Sequence, residues 1–70
     1  MTADELLHKI IAQRERLKLT ITAAANLYGC SVPQWSMIEG GKKTASLDVL
    51  IRMAEAVGLD VDLKVKQKAR

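Results

Sequence analysis

Hydroxyl side chains that favour the start of a helix recur along the chain, and glycines follow most of them at the distance of a short helix. The start positions are Thr2, Thr20, Ser31 and Ser46, and Glu5 and Gln34 complete capping boxes with the first and third of them. The stop positions are Gly29, Gly40, Gly41 and Gly58. Together these signals predict helices at about 3–17, 21–28, 32–39 and 47–57.

Apolar residues recur at helical spacing inside the predicted segments. The stripe of the first helix contains Leu6, Leu7, Ile10, Ile11 and Leu17, and that of the fourth contains Leu47, Leu50, Ile51, Ala54 and Val57. On the third helix, Trp35 and Ile38 are three positions apart and therefore share one face, which predicts that both lie in the core. The 70 residues are predicted to form a single all-α domain, residues 1–70, built from four small helices.

The spacing changes after Gly58. Val61, Leu63 and Val65 alternate with charged residues, which is the period of a β-strand at about 60–66. A lone strand cannot satisfy its own backbone hydrogen bonds, and the chain contains no second strand pattern. We therefore expect this strand to pair with the same strand of another copy, which makes Val61, Leu63 and Val65 the predicted dimerisation residues. The alternative is a frayed tail.

A homodimer would also relieve the shortage of core that a short chain faces. A domain of this length buries only roughly 60% of its unfolded surface, so it usually needs a metal, a disulfide or a partner chain. Cys30 and His8 each stand alone, so neither a metal site nor an internal disulfide is expected. We expect no cofactor, and Cys30 is predicted to be a small core residue.

The charge is unevenly placed along the chain. The net charge is +3, with acidic residues concentrated in 44–63 and four basic residues and no acidic one in 64–70. Such a separation is compatible with a nucleic-acid partner. Met1 is followed by no basic-then-apolar signal sequence, and no apolar run reaches the length of a membrane span. We therefore expect a cytoplasmic protein with no membrane contact.

The predicted second and third helices are short and are joined by a tight turn at Gly29, which is the pattern of a helix-turn-helix. Residues 6–59 resemble the lambda-repressor-like, or XRE, family of DNA-binding domains. The positions that carry the resemblance are Ala25, Gly29, Cys30 and Ser31 at the turn, Trp35, Ile38, Glu39 and Gly41 in and after the third helix, and Ser46, Leu47, Leu50, Ala54, Ala56 and Gly58 in and after the fourth.

The strand-like ending is similar to that of HipB-type antitoxins, in which a C-terminal strand pairs across a dimer. The resemblance thus implies a small four-helix lambda-repressor-like helix-turn-helix domain whose C-terminal β-strand pairs across a homodimer. It implies double-stranded DNA as a partner, with a cognate toxin protein as a further candidate. The gene would be bacterial or phage-encoded, and the protein nucleoid-associated.

The third helix is the one that would face base edges in the major groove. A helical wheel turns Val32, Pro33, Ser36 and Met37 outward and places Gln34 on the flank. This set offers one hydroxyl and three apolar groups, where family members often carry glutamine, arginine or asparagine. Two interpretations remain open: a groove helix with few direct base contacts, or a helix whose apolar outer face binds protein.

Phosphate contacts are expected from the connections around the two helices. Lys42 and Lys43 follow the third helix, where family members contact phosphate. Thr20 and Thr22 flank Ile21, which replaces a glutamine frequent in the family, and their hydroxyls could meet a phosphate. Arg14, Arg16 and Lys18 lie at the end of the first helix, where they suit its dipole whether or not a ligand is present. Glu39 is expected to stabilise the fold by local hydrogen bonds.

The sequence therefore favours a sequence-specific DNA-binding transcriptional repressor that acts as a dimer on a palindromic operator. The resemblance suggests an antitoxin that regulates its own operon, or a phage or plasmid regulator. The alternative is a protein-interaction module, an antitoxin or accessory subunit, whose helix-turn-helix binds protein more than DNA. The chain carries no catalytic constellation, so we do not expect an enzyme.

Overall fold

The computed structural model describes residues 2–61, which form four α-helices and no strand. The helices are α1 (Ala3–Arg16), α2 (Ile21–Tyr28), α3 (Val32–Glu39) and α4 (Leu47–Ala56). The predicted ends of the first and fourth helices are each one residue too late, because Leu17 and Val57 are capping residues. Of the predicted strand, residues 60 and 61 have no regular secondary structure, and the rest lies outside the described residues.

Each helix begins with the predicted hydroxyl cap. The side chains of Thr2, Thr20, Ser31 and Ser46 accept hydrogen bonds from the amides of Glu5, Ala23, Gln34 and Val49 respectively. At Thr2 the capping box is complete, and its hydrogen bonds hold the pKa of Glu5 below its usual value. At Ser31 the box is half formed: the hydroxyl accepts from the Gln34 amide at 3.3 Å, but the described hydrogen bonds include no return bond from the Gln34 side chain.

The helix ends share a backbone motif that needs one residue in the left-handed conformation. After α1, α3 and α4, one backbone amide donates to a carbonyl five residues back, and the amide before it donates to a carbonyl three residues back. The five-residue bonds run from Leu19 to Arg14, from Lys42 to Met37 and from Leu59 to Ala54. The three-residue bonds run from Lys18 to Glu15, from Gly41 to Ile38 and from Gly58 to Glu55. Glycine takes the left-handed position after α2, α3 and α4, whereas Lys18 takes it after α1, with φ of 58°.

The core lies where α1 packs against α4 and where α2 packs against α3 and α4. Its buried members are Leu6, Ile10, Ala24, Ala25, Trp35, Ile38, Leu50, Met53, Ala54 and Val57. Two apolar residues assigned to helical stripes are instead exposed, and both lie at a helix end. Leu17 is the C-cap of α1 and is 47% exposed. Leu47 is the first residue of α4 and is 40% exposed. Cys30 is half-buried against the core rather than enclosed by it.

The left-handed Lys18 gives a direct test of the helix-end motif. Lys18→Gly should raise the free energy of unfolding by about 0.5–1 kcal/mol, because relief of the side-chain clash outweighs the entropy that glycine adds to the unfolded chain. Lys18→Ala is the matched control, since it removes the same charge but keeps a Cβ. Urea denaturation measures both. A Lys18→Gly protein that is no more stable than Lys18→Ala would contradict the left-handed conformation at position 18.

Candidate nucleic-acid interface

Small side chains and one glycine set the angle between α2 and α3. Ala24 and Ala25 are fully buried, which lets α2 approach its neighbours closely. Gly29 ends α2 in the left-handed conformation, with φ of 95°. This lets the chain make a tight turn before Ser31 caps α3. The ring of Tyr28 then packs edge-on against Trp35, with centroids 6.2 Å apart. The two helices thereby form a tight helix-turn-helix unit.

The two faces of α3 differ sharply in exposure. Trp35 and Ile38 are buried, at 0% and 3% exposure. The opposite side, which we call the outer face of α3, consists of Val32, Pro33, Ser36 and Met37, and all four are exposed while Gln34 is half-buried beside them. The structure thus places the five residues predicted to face bases on the solvent side or flank of the helix.

Lys42 and Lys43 lie immediately beside the C-terminal end of this outer face. Their backbone amides both donate to the carbonyl oxygen of Met37, at 2.9 and 3.2 Å. The chain therefore folds back onto the last turn of α3 before it leaves toward α4. Both lysines are exposed. Main-chain hydrogen bonds in this way hold the backbone of both lysines against the last turn of α3.

The predicted threonines lie at the start of α2. The Thr20 hydroxyl oxygen accepts from the Ala23 amide at 3.0 Å, which leaves its proton free to donate to another acceptor. Thr22 is exposed, whereas Ile21 between them is half-buried against the core. Two hydroxyl groups thus stand at the N-terminal end of a helix, where an anion is favoured.

A polar network ties the outer parts of the domain to α3. The guanidinium of Arg14 binds the carboxylate of Glu39 through two hydrogen bonds, Nε to Oε2 at 2.7 Å and Nη2 to Oε1 at 3.0 Å. Its Nη1 donates to the Leu19 carbonyl at 2.9 Å. The indole of Trp35 donates to the same carboxylate. The hydrogen bonds to Glu39 raise the pKa of Arg14, and the network as a whole holds the end of α1, the α1–α2 connection and α3 together.

The network explains why an acidic residue is tolerated at the end of α3. The side chains of Arg14 and Glu39 are only 13% and 9% exposed, and the negative charge is neutralised within the pair. The predicted role of Arg14, as one of three cations that suit the dipole of α1, does not include its partner Glu39. A signal was present: Arg14 continues the buried series Leu6 and Ile10 at intervals of four, so it faces inward.

The described residues offer little for small-molecule chemistry. Two surface hollows, of about 160 and 220 Å³, are smaller than most ligand pockets. Residues 2–61 contain no group of three side chains that could hold a metal ion. No helix within that range is long and apolar enough to cross a membrane. The features that the described chain does offer are an exposed helix face, a cation pair and two hydroxyl groups.

Neutralising the mostly buried carboxylate of Glu39 should destabilise the fold far more than neutralising an exposed carboxylate. Glu39→Gln should lower the free energy of unfolding by about 2–4 kcal/mol, because Arg14 would remain mostly buried without a counter-charge. Asp48→Asn is the matched control. It removes the charge of Asp48, whose Oδ2 lies 3.3 Å from Nη2 of Arg52 in an exposed ion pair. This change should lower the free energy of unfolding by less than about 1 kcal/mol. Urea denaturation followed by the fluorescence of the one tryptophan measures both. Equal costs would show that the Arg14–Glu39 pair contributes no more than a surface contact.

Comparison with known proteins agrees with this geometry. The family model described as a helix-turn-helix domain matches residues 5–65, which includes all four helices except the first two residues of α1. No curated protein and no solved structure matches the chain. Such a domain indicates a DNA-binding regulator, and domains of this kind are typically non-enzymatic. On the strength of a match that covers most of its length, the chain belongs to the helix-turn-helix domain family.

Proposed function

We propose that this protein is a transcriptional repressor that binds a palindromic operator as a dimer, with the outer face of α3 in the major groove. The observation that carries the proposal is the position of Lys42 and Lys43, whose amides are bonded to Met37 on that face. An exposed helix face with two exposed lysines at its C-terminal end fits the groove of a polyanion. A regulator of this kind works where the chromosome lies, in the cytoplasm of a bacterium.

Contacts to the phosphate backbone would come from both ends of the helix-turn-helix unit. Lys42 and Lys43 would bind phosphates beside the C-terminal end of α3. The hydroxyls of Thr20 and Thr22, at the N-terminal end of α2, would bind phosphates on their side of the groove. Contacts of this type position a protein on DNA and supply most of its salt-dependent affinity.

Dimerisation would set the spacing between two recognition helices. Val61 is half-buried and packs against the core of its own domain, which anchors the chain at that point. Leu63 and Val65 lie outside the described residues, and their alternation with charged residues supports pairing with the same segment of a second copy. Two-fold symmetry would then place two α3 helices on half-sites about 34 Å apart.

A second function is favoured by one observation, the apolar character of the outer face. Val32, Pro33 and Met37 are exposed there, and Leu27 on α2 is 61% exposed. An antitoxin or accessory subunit could use such residues to bind protein instead of DNA. Within the main proposal, regulation of an operon that also encodes a cognate toxin and regulation of phage or plasmid genes both remain candidate roles.

The lysine pair provides the test of DNA docking. Lys42→Ala with Lys43→Ala should weaken binding to every duplex and reduce the slope of log affinity against log salt by about 2 per protomer. The matched control is Lys9→Ala with Arg52→Ala, which removes two exposed cations from α1 and α4 and should change the slope little. Fluorescence anisotropy with a duplex selected from a random pool measures both. Equal slopes for the two variants would contradict the docking, and no duplex binding even at low salt would favour the protein-interaction module.

The dimer has its own test, which uses the two sets of side chains in the alternating segment. Leu63→Ser with Val65→Ser should convert dimers to monomers and weaken operator binding, because the apolar side of the proposed strand is lost. Lys64→Ser with Lys66→Ser alters the intervening positions and should leave the dimer intact. Analytical ultracentrifugation distinguishes the two. A wild-type protein that is monomeric, or a Leu63→Ser and Val65→Ser protein that remains dimeric, would refute the pairing.

A further inference from the structure

The outer face of α3 has almost no hydrogen-bonding capacity toward bases. The helix VPQWSMIE contains no lysine or arginine, and the Glu39 carboxylate is engaged with Arg14 and Trp35. On the outer face itself, Ser36 carries the one polar side chain, while Val32 and Met37 are 36% and 41% exposed. Hydrogen-bond donors able to bind guanine O6 and N7 in bidentate fashion are absent from this face.

One feature of the major groove is apolar. Each thymine presents a C5-methyl group there beside its O4 acceptor, whereas cytosine, adenine and guanine present no methyl group. An apolar side chain gains by covering that methyl group and loses by covering an unpaired polar edge. The exposed side chains of Val32 and Met37 therefore complement thymine better than any other base.

The spacing on the helix suits more than one such contact. Val32 and Met37 are five residues apart, so they are about 7.5 Å apart along the axis of α3 and about 140° apart around it, at the two margins of the outer face. That distance is close to two base-pair steps of about 3.4 Å. The two side chains can accordingly cover methyl groups at separate positions of one half-site, with the hydroxyl of Ser36 between them.

The lysine pair argues for DNA as the occupant of this apolar face. The main-chain carbonyl of Met37 accepts from the amides of both Lys42 and Lys43, so the backbone of both lysines is anchored to the turn of α3 that carries Met37. Phosphates bound by the lysines would fix how deeply Met37 enters the groove. A DNA backbone supplies an anion for each lysine, whereas an apolar protein surface supplies none.

We propose that the outer face of α3 selects its half-site through the 5-methyl groups of thymine, contacted by Val32 and Met37. The inference rests on the proposed binding of DNA and specifies what that site recognises. Base selection is then carried by apolar contact, so operator half-sites contain thymine at the positions that face these two side chains.

Replacing thymine by deoxyuridine tests the proposal, since it removes the methyl group and leaves the hydrogen-bonding edge unchanged. In a duplex selected by the protein, each contacted thymine replaced by deoxyuridine should weaken binding about fourfold. A C·G pair at the same position should bind more tightly when its cytosine carries a 5-methyl group. Affinity for an unselected duplex should not depend on the methyl groups.

Protein variants show whether the effect comes from the side chains. Val32→Ser with Met37→Ser should bind thymine and deoxyuridine duplexes equally. Leu27→Ser is the control, because it removes an apolar side chain that is even more exposed, on α2 and outside the outer face of α3, and should keep the wild-type ratio. If the preference for thymine persists in Val32→Ser with Met37→Ser, DNA shape is its source and the inference is overturned.

The outcomes separate this inference from the proposed function. A wild-type protein that binds thymine and deoxyuridine duplexes equally overturns methyl recognition and leaves DNA binding intact. A protein that binds neither duplex at low salt overturns both.

Discussion

The ion pair between Arg14 and Glu39 connects parts of this domain that are otherwise held mainly by apolar packing. It joins the end of α1 to the end of α3, and the same guanidinium also binds the Leu19 carbonyl at the entrance to α2. Through the carboxylate, it also fixes the indole of Trp35, the largest buried side chain. The inward face of the candidate recognition helix is therefore positioned by directional bonds as well as by contact area.

This arrangement matters because the helices are short. α2 and α3 have eight residues each, fewer than an isolated helix needs to be stable in water. Hydroxyl caps satisfy amides at their starts, and the left-handed residues after them satisfy carbonyls at their ends. Tertiary packing then contributes the remaining stability. Ala24 and Ala25 are completely buried, so the rest of the domain covers this side of α2.

The candidate interface separates two tasks between neighbouring residues. Val32 and Met37 supply exposed apolar side chains on the outer face of α3, and Lys42 and Lys43 supply positive charge at its C-terminal end. Electrostatic contacts of this kind hold a protein on any duplex, while contacts with the groove distinguish one sequence from another. Because the outer face of α3 carries so few polar side chains, the proposed recognition relies on methyl groups and on the shape of DNA.

Local signals in the sequence were sufficient for the four helices, the turn at Gly29 and the inward position of Trp35 and Ile38, because caps, stops and helical periodicity act within one or two turns. The partner of Arg14 lies 25 residues away, and only the packing of α1 against the rest of the domain brings the two charges together. Tertiary structure likewise decided that Leu17 is exposed, because the burial of an apolar side chain depends on which helices cover it. Only the structure shows that the amides of Lys42 and Lys43 both donate to the Met37 carbonyl. These hydrogen bonds keep the backbone of the two lysines beside the C-terminal end of α3.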